Sequence, residues 1–136
     1  MKFKRLAAIP LVMMASYTSA QNISVEITNL THSLFFTPLL VSAHAPDMHL
    51  FEAGSSASPE LQAMAEGGDI TGLAGLADGM GAVSVENPAA GLLGPAATVM
   101  AELDTGSQTA LTITAMLLPT NDGFVGLDAW TIPEEA

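Results

Sequence analysis

Every Lys and Arg of this 136-residue chain lies within its first five residues, at Lys2, Lys4 and Arg5, whereas all 14 Asp and Glu lie beyond residue 20. From residue 21 onward no Lys or Arg salt bridge can form. A fold must therefore relieve its negative charge by spacing, by hydrogen bonds to backbone amides, through three histidines, or with cations taken from solution. Without a basic stripe, such a surface repels phosphate backbones and anionic lipid, which excludes nucleic acid and anionic membranes as partners. Acids spread over the surface also serve plain solubility. The chain has no cysteine, so disulfides, cysteine zinc sites and thiol nucleophiles are excluded and ordinary apolar burial must hold the core.

The basic start is followed by an apolar run from Leu6 to Ala15 and by the small residues Thr18-Ser19-Ala20. This order reads as a secretory signal peptide cleaved near Ala20, with an apolar stretch too short to span a hydrocarbon core of ~30 Å. The expectation is a secreted or periplasmic protein, with residues 1–20 as signal peptide and residues 21–136 as one domain. Asn22-Ile23-Ser24 and Asn29-Leu30-Thr31 match the N-glycosylation pattern, which three residues often do by chance.

Ile23, Val25 and Ile27 alternate with Ser24, Glu26 and Thr28, the pattern of a half-buried strand over residues 22–29. Thr109 to Leu118 alternates too, but its second face also turns apolar, which predicts a central strand. Shorter strands are expected at Phe35–Ser42, interrupted by Pro38, and at Val83–Glu86, Thr98–Leu103 and Phe124–Asp128, with Asp104-Thr105-Gly106-Ser107 as a turn. Ser58-Pro59-Glu60 supplies an N-cap, a first-turn proline and an early acid, and Gly67-Gly68 a stop, so residues 59–66 read as a short helix. Asp69 to Asp78 offers a second helix, weakened by Gly72 and Gly75, and residues 87–97 read as a loop. Short strands with turns and a helical insertion make the chain mostly β, an antiparallel β-sandwich. Trp130, Phe35, Phe36, Phe51 and Phe124 are assigned to its core.

Chemistry has few footholds. His44, Asp47 and His49 gather two imidazoles and a carboxylate within six residues, all types that bind transition metals. Pro46 opposes a helix that would align the rings, and five residues apart on an extended strand they point to opposite sides. A small exported metal-dependent hydrolase or transition-metal-binding protein using these three residues is therefore the alternative function. Pro119-Thr120-Asn121-Asp122-Gly123 stays open between a tight turn and a hard-cation loop, because calcium takes six to eight oxygens and one carboxylate is too few. There is no glycine-flanked serine elbow, no His-Glu-x-x-His and no phosphate-binding glycine loop, so an enzyme is not expected.

Thr28-Asn29-Leu30-Thr31, Phe36-Thr37-Pro38, the stretch Ala43–Gly54 with His44, Asp47, His49, Leu50 and Glu52, and above all Leu118 to Gly126 resemble the spondin domain. The similarity is strongest to single-domain exported bacterial members and covers roughly residues 22–132; its most specific piece is Pro-x-x-Asp-x-Phe-Val-Gly from Pro119. It implies a C2-like antiparallel β-sandwich, a binding or adhesion role toward a protein, extracellular-matrix or surface partner, no established catalysis, and calcium ligated at Asp122. Gly123 stands where the animal domains carry tryptophan. Family members continue past the strand near Trp130 into a segment with further calcium ligands, whereas this sequence ends at Glu134-Glu135-Ala136, so the resemblance implies a C-terminally shortened member.

Overall fold

A computed structural model describes residues 21–134; the signal peptide expected over residues 1–20, its cleavage near Ala20, and Glu135 lie outside them. The chain forms β1 (Asn22–Thr28), β2 (Phe35–Phe36), β3 (Leu40–His44), α1 (Pro59–Gly67), α2 (Thr71–Gly79), β4 (Val83–Glu86), β5 (Thr98–Asp104), β6 (Ala110–Leu118) and β7 (Phe124–Thr131). Among the described residues all strand pairs are antiparallel, and the structure is mostly β with two short helices.

The expected central strand is β6. Along one edge it pairs with β3 and then β2, and along the other with β7, while β4 flanks β3. Pro38 lacks the amide that would carry β2 straight into β3. Thr37 bridges the gap, because its amide donates to Met116 O at 3.1 Å and its hydroxyl accepts from Met116 N at 3.1 Å.

A second, two-stranded sheet of β1 and β5 covers one face of this larger sheet. Alternation sends Val41, Ala43, Leu111 and Ile113 toward it, where they meet Ala101, Leu103, Ile23 and Val25. The opposite face of the larger sheet carries α1 and α2. Leu40 and Met116 pack there against Leu61, Met64, Leu73 and Ala77. This double coverage explains why β3 is buried at every position and why the second face of β6 turns apolar toward its end.

The helices obey their local signals. Ser58 Oγ accepts from Leu61 N at 3.1 Å at the start of α1, and Gly68, with φ of 68°, closes it in the left-handed conformation that glycine adopts cheaply. The second helix forms despite its glycines, and Gly72 has a packing reason: a Cβ there would lie 2.9 Å from Glu60 Cγ of α1.

Candidate functional site

His44, at the end of β3, is buried and its ring is fully engaged. Nδ1 lies 2.8 Å from Ala45 O, and Nε2 lies 2.7 Å from Thr112 Oγ1, which also accepts from Ala129 N at 3.1 Å. A carbonyl only accepts, so Nδ1 carries a hydrogen, and in that tautomer Nε2 accepts the Thr112 hydroxyl. The chain of donors runs from Ala129 through Thr112 and His44 to Ala45, and leaves no ring lone pair for a metal.

His49 sits apart from that network. The chain leaves β3 through a turn at Pro46-Asp47, and Leu50 is buried while His49 and Asp47 stay exposed. His49 Nδ1 donates to Asp128 Oδ1 at 2.8 Å, the only ion pair among the described residues, as expected of a chain with no Lys or Arg there. The hydrogen bond to Asp128 is the largest influence and raises the His49 pKa above its usual 6.5; loss of solvation opposes it, and the negative charges of Asp128, Glu52 and Asp47 add to the rise. His44, Asp47 and His49 are thus not brought together: among the described residues no three His, Asp or Glu side chains converge to hold a metal.

Asp122 occupies the exposed turn between β6 and β7. That turn is closed by its own residues: Thr120 N donates to Leu117 O at 2.8 Å, Gly123 N to Thr120 Oγ1 at 3.0 Å, and Leu117 N to Gly123 O at 2.8 Å. Asp122 contributes no side-chain bond to it. Among the described residues it stands as a single carboxylate, and it does not by itself make up the oxygen shell that calcium takes.

A groove opens elsewhere. Between the outer edge of β1 and the core-facing sides of β6 and β7 runs a groove of ≈ 540 Å³, walled by Ile23, Val25, Ile113, Leu127 and Trp130, with Glu26 on its margin. It exists because the two-stranded layer is narrower than the sheet it covers. Trp130, assigned to the core from sequence, is 61% exposed on this groove, and Phe35 is 39% exposed; Phe36 is buried, and Phe51 and Phe124 pack edge to face at 5.3 Å.

A bulge in β7 accounts for the Trp130 correction. Leu127 pairs with Ile113 and Trp130 with Leu111, so Asp128 and Ala129 together oppose Thr112. Ala129 takes φ of 43°, an uncommon conformation for a residue with a Cβ. The extra residue puts Leu127 and Trp130 on one side although three positions separate them, and Asp128 reaches His49. The resemblance-bearing Asn29 proves to be an internal anchor: its side chain donates to Leu34 O and Leu93 O and accepts from Thr31 N and Oγ1. It is fully buried, which is incompatible with a glycan on the folded chain. No protein-family model matches this chain, and no curated protein matches it.

Proposed function

We propose that this chain is an exported, non-catalytic binding module of spondin-like kind, secreted or periplasmic, whose recognition surface is the groove between β1 and β7. The observation that carries the reading is the exposure of Trp130 on an apolar concavity that the smaller sheet leaves uncovered. A half-open tryptophan beside aliphatic walls is a surface suited to a partner, because large aromatics dominate the energetics of interfaces. The satisfied ring of His44 and the separation of His49 from it leave the His44, Asp47, His49 reading without an assembled centre.

A random peptide library displayed on phage and selected on the full chain tests the module. Enriched binders that lose at least about tenfold in affinity on Trp130→Ala support it; a library that enriches nothing dependent on Trp130 contradicts it. Calcium enters the proposal at Asp122 alone, helped by carbonyls of its turn, which amounts to weak binding of about 10⁻³ M. Thermal unfolding with millimolar calcium and then with chelator should give a small rise in midpoint that Asp122→Ala abolishes. A midpoint indifferent to calcium removes the ion from the account.

A further inference from the structure

The free edge of β1 carries a consequence beyond a hydrophobic patch. Gln21 O accepts from Thr105 N at 2.8 Å, and at the far end Asn29 N donates to Ala97 O at 3.0 Å. Hydrogen-bonded positions alternate along an antiparallel strand, so the odd residues Ile23, Val25 and Ile27 direct their backbone groups at β5. Asn22, Ser24, Glu26 and Thr28 then point their amides and carbonyls the other way, over the groove mouth. Among the described residues no strand pairs with that side.

Exposed edges are ordinarily blunted by a proline, a lysine, a bulge or shortness. The free edge of β7 has its bulge at Asp128 and Ala129, and β4 is four residues long. By contrast, β1 runs seven regular residues, Asn-Ile-Ser-Val-Glu-Ile-Thr, about 24 Å at ~3.4 Å per residue, with none of these devices except the charge of Glu26. The strand β5 is as long and its outer edge is likewise unpaired among the described residues, but of the two only β1 borders the groove.

Resting on the binding-module reading, we infer that β1 takes up an extended segment of a basic partner protein as an added antiparallel or parallel strand, with apolar side chains in the groove alternating with Lys or Arg on the outside. The alternation follows from the pleat. Residues beside Ile23 and Val25 face inward over Leu127 and Trp130, and residues beside Ser24 and Glu26 face outward with them. The outward face of the smaller sheet carries Glu26, Glu102 and Asp104 and no cation, so positive side chains complement it. A second copy of this chain is disfavoured as occupant by the same charge, because no residue from 21 onward is Lys or Arg.

The test uses the full chain, a ten-residue synthetic peptide alternating Val with Lys, and its counterpart with Glu in place of Lys. Saturable calorimetric binding of the Lys peptide is expected, at least about tenfold tighter than the Glu peptide and weakened by salt. Amide hydrogen exchange at Ser24 and Glu26 should slow on binding, while Ile23 and Val25 are protected with or without peptide. Ser24→Pro removes an outward amide and the exposed hydroxyl bond to Glu102 but no backbone bond to β5, so it should keep the circular dichroism spectrum and lose at least about tenfold in affinity. Methylating alternate backbone nitrogens of the peptide should do the same.

Absence of saturable binding overturns the inference, as does binding that leaves the Ser24 and Glu26 amides exchanging freely. Protection of those amides in the protein alone also overturns it, and sedimentation then tells a second copy from the chain's own residues 1–20. If displayed peptides bind through Trp130 yet lack alternation and edge protection, strand addition fails while the binding module stands.

Discussion

The two faces of the larger sheet are finished to different standards. On the helix side, α1, α2 and the segment through Phe51 close over the strands, and a Cβ at Gly126 would sit 2.5 Å from the Phe51 ring. On the other side the β1–β5 layer seals Val41, Ala43 and Leu103 but leaves Trp130 and Leu127 along an open trough. Polar groups follow the same division: His44 and Thr112 are tied into a closed chain on β3 and β6, whereas the outward amides of β1 face no strand among the described residues. Fully covered surface answers to stability, and the uncovered trough is where selection for a partner can act without taxing the core.

Paired truncations break this contrast most sharply. Leu73, fully buried between helix and sheet, should cost about 3 kcal/mol when changed to Ala, by lost burial and a cavity. Trp130→Ala removes a larger side chain and should cost about 1 kcal/mol or less, because most of it already meets water. Denaturant unfolding of both variants checks the order; equal costs would mean that the groove is core.

His44→Ala should be next in size, destabilising by about 2 kcal/mol, because it strands the Thr112 hydroxyl in a buried site. A metal-dependent role would instead predict loss of a bound ion with little change in unfolding. Thr114 offers the opposite sign. Its hydroxyl is buried without a hydrogen-bond partner, so Thr114→Val should stabilise the fold by about 1 kcal/mol in the same unfolding measurement.

The smallest effect belongs to the exposed His49–Asp128 pair. The folded pKa of His49 is raised, so its contribution is fully present below the unfolded value near 6.5 and is lost as pH rises through the folded value. The thermal midpoint should therefore lose a small pH-dependent increment as pH rises from the unfolded value near 6.5 through the raised folded value, and Asp128→Asn should remove most of that dependence. A slope untouched by the substitution would place its source elsewhere.

Local signals made most elements legible. Alternation in β1 and β6, the Ser58 cap, and the Gly67-Gly68 stop act within a few residues, and the expected elements formed at those places. The second helix succeeded against its glycines because Gly72 admits Glu60, a tertiary contact that propensity does not contain. The groove was not legible. Period-two reading separates Leu127 from Trp130 and stops the strand at Asp128, whereas the bulge at Ala129 reunites them and carries β7 on to Thr131. The proximity of His44 to His49 in sequence suggested a shared site, but burial at the strand end tied one ring into the sheet and left the other on the surface.

Trp130 is the sole tryptophan of the chain, so its fluorescence reports on the groove alone. Acrylamide quenching of the full chain, with and without the Val–Lys peptide, tests most directly whether this face is open and meant to be filled. The account predicts efficient quenching in the free protein and strong shielding once the peptide is bound. A tryptophan already shielded in the free protein, or one still quenched at saturating peptide, would contradict it.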